Sequence, residues 1–298
     1  NYPQEESQFK KFWPADLNIE GKDQFRGWWN SQLILSEIKF GKKPYKSILV
    51  HGMILDLGKI KMSKSLGNII SPHEVIEKYG RDALRYYFAK VSRGEDFAFD
   101  EKEFNKVNNM FRVLINLNSF INQLERKEEK IKTEDKWILS KFNNLVQEVG
   151  ESYEKFWFPE VIQKLEEFVI GDLSKTYIQM IRDRSDEVYN IMNTIRNNLL
   201  KLLAPIIPFM IEKIWQDLRE EGIVKEESAH LSSFPEIDRR KIDKRLEGEF
   251  EGALKIIELG LAERDKFKIG LKWPLAKAVV SYNKKISNEI LGIVSRQL

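Results

Sequence analysis

Cysteine is absent from all 298 residues, which excludes disulfides and thiolate zinc sites and fits a reducing compartment; a cytoplasmic location is expected. Histidine is scarce, with His51, His73 and His230 alone, and no protein-bound metal is expected. No apolar run approaches the ~20 residues of a membrane-spanning helix, so no membrane partner is expected. The opening residues Asn1-Tyr2-Pro3-Gln4-Glu5-Glu6 lack the basic start and apolar stretch of a signal peptide. A chain that opens on Asn rather than Met fits a piece of something longer. An excess of one charge is missing too. The net charge is +3 with acids and bases interleaved, which permits a local nucleic-acid patch without arguing for one.

What is present is core-forming material. Hydrophobic residues make up 42% and charged residues 32%, enough for real cores under a polar surface. The length suggests two domains, at ~100–200 residues each. Composition changes near residue 100. Before it, short apolar segments are separated by Gly and Pro. They predict a helix over 25–38, a buried strand over 47–55, and helices over 72–79 and 82–90, with Gly80 as a stop signal. Alternation of strands and helices is α/β material.

After residue 100 the period is helical. From Pro159 onward, Val161, Ile162, Leu165, Phe168, Val169, Leu173, Tyr177, Met180 and Ile181 fall on one face of a long helix. A second helix is predicted over 187–203, broken by Ala204-Pro205-Ile206-Ile207-Pro208 and resumed through Trp215. A third stripe joins Ile242, Leu246, Phe250, Leu254, Ile257 and Leu261. Short connections make an antiparallel bundle the natural assembly. Beyond Gly270, 276–282 reads as a strand and 286–294 as a helix. The expectation is therefore α/β followed by all-α: an α/β region over 1–100, a helical bundle over 101–270, and a truncated tail over 271–298.

Chemistry concentrates in Lys61-Met62-Ser63-Lys64-Ser65-Leu66-Gly67-Asn68. Ser71-Pro72-His73-Glu74 follows as a helix start, with Ser71 the N-cap and Glu74 its reciprocal capping partner. Both lysines thus lie on a loop after the carboxyl end of a strand, where open α/β sheets bind ligands. Two ammonium groups there suit a polyanion such as the phosphates of ATP. They can stabilise charge growing on departing pyrophosphate. Upstream, Glu20-Gly21-Lys22-Asp23-Gln24-Phe25-Arg26-Gly27-Trp28-Trp29 places acids and a Gly before a helix start. Glu20, Asp23 and Gln24 could bind an ammonium group and sugar hydroxyls, with Trp28 as an apolar wall. The plainer alternative makes Asp23 a helix cap and Trp28 core.

The lysine segment resembles, letter for letter, the signature loop of class I aminoacyl-tRNA synthetases. The upstream segment resembles the Glu-Gly-x-Asp-Gln-x-Arg-Gly-Trp motif of the isoleucine-specific branch, with Trp29 where Phe is usual. Further blocks continue the likeness in order: Arg81-Asp82-Ala83-Leu84-Arg85-Tyr86-Tyr87, Glu134-Asp135-Lys136-Trp137, Leu202-Leu203-Ala204-Pro205-Ile206-Ile207-Pro208-Phe209, and Gly270-Leu271-Lys272-Trp273-Pro274-Leu275. The last resembles archaeal and eukaryotic members.

The resemblance implies the second half of a Rossmann-like nucleotide-binding fold, followed by an anticodon-binding bundle. It implies that Lys61 and Lys64 are catalytic, and that Lys61, Met62, Ser63, Lys64, Ser65, His51 and Gly52 meet ATP, itself accompanied by Mg²⁺ as substrate. Glu20, Gly21, Asp23, Gln24 and Trp28 would hold the aminoacyl-adenylate. Apart from the resemblance, the basic residues Lys175, Arg182 and Arg184 are candidates for tRNA phosphates, with a solvated helix face as the plainer alternative for each. Isoleucine and tRNA(Ile) are the implied substrates.

A class I synthetase needs a second signature of the form His-x-Gly-His, and none occurs in these 298 residues; the editing insertion is absent as well. The expected partner is therefore a polypeptide carrying the first catalytic half and the editing domain, and the chain alone is expected to be inactive. The alternative is a stand-alone tRNA-binding module that has lost catalysis. It would bind tRNA in a salt-sensitive way without binding ATP.

Overall fold

The computed structural model describes residues 4–298 except 129, 271, 283 and 284. Contacts divide the chain into two compact units, Asn1–Val107 with Ser152–Ile162, and Asn108–Glu151 with Gln163–Leu298. The tail after residue 270 groups with the second unit, and residues 152–162 group with the first.

The first unit begins with α1 (Glu6–Phe12), β1 (Ala15–Gly21), a 3-10 turn (Lys22–Arg26), α2 (Trp28–Phe40) and β2 (Tyr45–His51). β1 and β2 pair in parallel, from Ala15 opposite Tyr45 to Gly21 opposite His51. Two parallel strands need a crossover, and α2 supplies it. Gly41 ends α2 at φ 60°, the left-handed conformation that glycine adopts without steric penalty. The helix predicted over 25–38 starts and ends later, at Trp28 and Phe40, because Lys22–Arg26 forms a tight turn first.

The single strand predicted over 47–55 is a correction. It divides into β2 and a short β3 (Ile54–Leu55), which pairs in parallel with β4 (Phe97–Ala98). Gly52 is the cause, since it lies against the Glu95–Asp96 backbone. Nor is β2 buried: its residues are half-buried or exposed. Parallel strands are ordinarily covered on both faces. In this two-stranded sheet the neighbouring Ile19 of β1 is also open.

α3 (Pro72–Tyr79) and α4 (Arg81–Val91) follow the predicted bounds closely, with Gly80 at φ 89° between them. Ser71 is the N-cap and Pro72 opens the helix, but the Ser71–Glu74 capping box does not form. Glu74 is exposed, and water can serve the first-turn amides instead. Aromatic rings close this unit's core. Tyr79 stacks on Phe104 at 4.3 Å, and Tyr87 lies 5.1 Å from Phe104 and 5.2 Å from Phe99.

The remaining helices are α5 (Phe104–Asn122), α6 (Thr133–Glu154), α7 (Phe158–Glu166), α8 (Ile178–Met180), α9 (Tyr189–Leu203), α10 (Pro208–Glu220), α11 (Lys244–Lys266) and α12 (Asn288–Gln297). Between α7 and α8 the chain winds as a π-helix, Glu167–Tyr177. Leu165, Val169, Leu173, Tyr177 and Ile181 recur every four residues, and all are fully buried. On 3.6 residues per turn such a line drifts by about 40° per step; a wider helix keeps it on one side.

Two further expectations are corrected. α11 buries Phe250, Ala253 and Ile256, whereas Leu261 is exposed and Leu246, Leu254 and Ile257 are only half-buried. The buried line is rotated toward the small residues Gly252 and Ala253. A Cβ on Gly252 would meet the Tyr282 hydroxyl 2.4 Å away. The strand predicted over 276–282 does not form. Val279 is 84% exposed, and no strand lies beside it among the described residues to complete a ladder. Leu271, within the quoted Gly270–Leu275 block, lies outside the described residues.

Candidate functional site

The lysine loop leaves β3 through a tight hairpin. Asp56 N–H donates to the Ile60 carbonyl at 3.0 Å, Lys59 takes φ 62°, and Lys61 bridges back to Leu55. Ser63 then caps a 3-10 turn, Lys64–Leu66, its hydroxyl accepting from Leu66 N–H at 3.3 Å and lying 3.1 Å from Ser65 Oγ. Gly67 closes the turn at φ 64° with open space where a Cβ would be, so its backbone conformation alone calls for glycine. Lys61 and Lys64 are both exposed, and among the described residues neither makes an ion pair. Two unneutralised ammonium groups on a tight loop can accept a polyanion without first breaking an internal bridge.

The second cluster sits at the carboxyl ends of β1 and β2. Their register sets Gly21 opposite His51. A Cβ on Gly21 would lie 2.7 Å from Asp23 Oδ1 and 3.3 Å from His51 Cε1, so glycine is what lets both side chains approach. Gln24 Nε2 donates to Asp23 Oδ2 at 2.8 Å, and Gln24 Oε1 accepts from Trp28 N–H at 3.3 Å. Asp23 caps no helix. Trp28 is 43% exposed whereas Trp29 is 1% exposed, so Trp29 is core and Trp28 is left free to serve as a pocket wall. Glu20 is half-buried at the strand end, and the His51 ring lies 3.0 Å from the Gly52 carbonyl. Gly52 has a packing reason for its identity: a Cβ would fall 1.9 Å from the Glu95 carbonyl oxygen.

Three residues outside the expected set organise these segments. Asp96 accepts from Met53 N–H at 2.7 Å and pairs with Lys22 at 2.6 Å, tying the end of β2 to the turn after β1. The Lys22 ammonium holds the Asp96 carboxyl below its ordinary pKa. Asp56 and Asn68 tie the two ends of the lysine loop together. The Asp56-Leu57-Gly58-Lys59 turn pattern was the available signal for Asp56. The Asp96 contacts span more than forty residues and leave no local trace.

Of the three basic candidates in the second unit, Lys175 and Arg182 are exposed, with Arg182 2.5 Å from Gln179 Oε1. Arg184 is a correction. Its guanidinium donates to Glu134 at 2.6 Å and Asp135 at 2.8 Å, with 9% of its side chain exposed. Asp135 also accepts from the buried Tyr177 hydroxyl at 2.7 Å. A cation so committed is structural, and spacing could not reveal its burial. Among the described residues no cluster of His, Asp or Glu could hold a metal ion, and no helix is long and apolar enough to cross a membrane.

Comparison with known proteins agrees with this geometry. The family profile for class I tRNA synthetases (I, L, M and V) matches residues 1–100, and that for the anticodon-binding domain of tRNA ligase matches residues 135–280. The isoleucine–tRNA ligase of Methanothrix thermoacetophila is 34% identical over 100% of this chain and 30% of its own length. That of Pyrococcus furiosus is 37% identical over 94% and 28%. The chain thus spans about 30% of the length of these relatives. A Mycobacterium tuberculosis methionyl-tRNA synthetase bound by methionyl-adenylate superposes with TM-score 0.61 at 20% identity, over 76% of this chain and 50% of its own. An Agrobacterium radiobacter K84 LeuRS in ternary complex with tRNA and LeuAMS gives TM-score 0.60 at 20% identity, over 77% and 29%. From its two motifs to its fold, the chain belongs to the class I aminoacyl-tRNA synthetases, and the isoleucine–tRNA ligases named above, both archaeal, are among its sequence relatives.

Proposed function

We propose that this chain supplies the lysine loop, part of the adenylate pocket and the anticodon-binding helices of an isoleucine–tRNA ligase. In the assembled enzyme, the isoleucine carboxylate attacks the α-phosphorus of ATP and pyrophosphate leaves; a terminal ribose hydroxyl of tRNA(Ile) then attacks the isoleucyl carbonyl, and AMP leaves. Mg²⁺ enters with ATP as part of the substrate. Lys61 and Lys64 stabilise negative charge on the departing pyrophosphate and do no covalent chemistry. Met62, Ser63 and Ser65 shape the loop around the nucleotide, and His51 and Gly52 border its sugar or base. Glu20, Gly21, Asp23 and Gln24 hold the adenylate, and Trp28 walls the side-chain pocket. The observation that carries this reading is the pair of exposed, unneutralised lysines on a turn whose backbone is fixed on both sides.

Half of an active site lacks the opposing groups that hold ATP in line. The 298 residues alone are therefore inactive, and activity requires a polypeptide that carries the His-x-Gly-His half. Isoleucine-dependent ATP–pyrophosphate exchange tests this: none is expected from the purified chain, and turnover is expected once that half is added. Robust exchange by the chain alone would defeat the requirement.

In the helical unit, exposed Lys175 and Arg182 contact tRNA phosphate. Replacing either by alanine is expected to weaken tRNA binding and reduce the slope of log affinity against log salt by about 1. An unchanged slope in both variants removes them from the interface.

A further inference from the structure

We propose that Asp56 and Asn68 form a latch that positions the lysine loop, a role that deepens the function proposed above and rests on it. The Asn68 side chain uses both its ends. Its Oδ1 accepts from Ser63 N–H at 2.9 Å, and its Nδ2 donates to Asp56 Oδ2 at 2.8 Å and to the Lys61 carbonyl at 3.4 Å. Asp56 uses both carboxylate oxygens, since its Oδ1 accepts from Ile60 N–H at 2.8 Å. Two side chains thus bind the backbone immediately before Lys61, at Lys61 itself, and between the two lysines. The segment they leave unheld is the short turn carrying Lys64.

The chemistry of the pair is specific. Asn68 must accept once and donate twice, which an ionised aspartate, with no donor, and a serine, with a single hydrogen, cannot do. Asp56 must accept twice, and an ionised carboxylate does so best. The Asn68 amide, followed by the Ile60 N–H, holds the Asp56 carboxyl below its ordinary pKa, consistent with a group kept charged. Neither residue is placed to touch substrate by any contact described above. They are positioning residues, acting through Lys61 and Lys64.

A reciprocal exchange tests the latch. Asn68→Asp sets two carboxylates face to face. Asp56→Asn turns one acceptor into a donor. The double variant D56N/N68D restores a donor opposite an acceptor and keeps acceptors for Ser63 and Ile60, while giving up the long bond to the Lys61 carbonyl. Amide hydrogen exchange over residues 61–67 of the 298-residue chain is expected to quicken about tenfold in Asn68→Asp and to recover most of the way in the double variant, which lacks only the bond to the Lys61 carbonyl. Exchange in Asn68→Asp equal to wild type, or a double variant as fast as that single, would overturn the latch.

In the assembled enzyme, ATP–pyrophosphate exchange with Mg²⁺·ATP should show kcat lowered in Asn68→Asp and raised again toward wild type in the double variant, with KM for isoleucine unchanged. Restored amide protection without restored kcat would overturn the positioning role. Should Lys61→Ala and Lys64→Ala leave kcat untouched, the proposed function itself fails, and the amide-exchange result still judges the latch.

Discussion

At the scale of single residues, the two glycines that flank the candidate site are needed for different reasons. Gly52 has no room: the Glu95 carbonyl oxygen stands 1.9 Å from where a Cβ would be. Gly52→Ala must displace backbone and is expected to destabilise the first unit by about 1–3 kcal/mol in chemical denaturation. Gly67 has ample room and a left-handed backbone. Gly67→Ala is expected to cost about 1 kcal/mol, felt in the loop alone, as faster amide exchange with an unchanged global transition. Equal effects of the two substitutions on global stability would contradict this division. The sequence displayed both glycines but not their reasons. Gly67 sits in a motif whose turn is legible, whereas the neighbour of Gly52 lies more than forty residues away. For the same reason Trp28 and Trp29, adjacent in sequence, could not be sorted into pocket and core until α2 was placed.

At the scale of elements, Arg184 fixes the 3-10 segment before α9 to the start of α6 through Glu134 and Asp135. Removing one member of a buried ion cluster leaves charge uncompensated. Arg184→Met is therefore expected to destabilise the second unit by about 3–5 kcal/mol, measured by denaturant unfolding. Its tRNA affinity per folded molecule should not change, which separates this arginine from Lys175 and Arg182. Elsewhere in the same unit, burial pushes the Asp172 carboxyl above its ordinary pKa, against the pull of Lys141 at 3.1 Å. A folded pKa above the unfolded value means that the fold favours the protonated acid. That stability is present below the unfolded pKa, near about 4, and is lost as pH rises through the folded value. Asp172→Asn is expected to raise Tm at pH 7 and to lose that advantage near pH 4. A variant less stable than wild type at pH 7 would show that the Lys141 bridge outweighs desolvation.

Element prediction succeeded where periodicity and punctuation agree, as for α3, α4, α9 and α10. It failed where a partner decides. The segment 276–282 has strand composition but no neighbouring strand, and the π-helical winding of Glu167–Tyr177 answers to buried residues four apart, which a search for 3.6-residue periods reads as an ordinary helix.

At the scale of the whole molecule, two family profiles fall on different stretches of the chain, class I tRNA synthetases on residues 1–100 and the anticodon-binding domain of tRNA ligase on residues 135–280, and the function proposed above assigns adenylate chemistry to the first and tRNA contact to the second. The parallel sheet of β1 and β2 has two strands, with Ile19 open on one of them, and on the function proposed above this is the side on which a further polypeptide carrying the His-x-Gly-His half is expected to add. The most direct test of the central claim is the single-turnover rate of isoleucyl-adenylate formation in the assembled enzyme, comparing Lys61→Ala and Lys64→Ala with wild type at saturating ATP. Charge stabilisation of departing pyrophosphate predicts rates lower by about 10²–10³ in each variant, with isoleucine affinity preserved. Wild-type rates in both variants would contradict it.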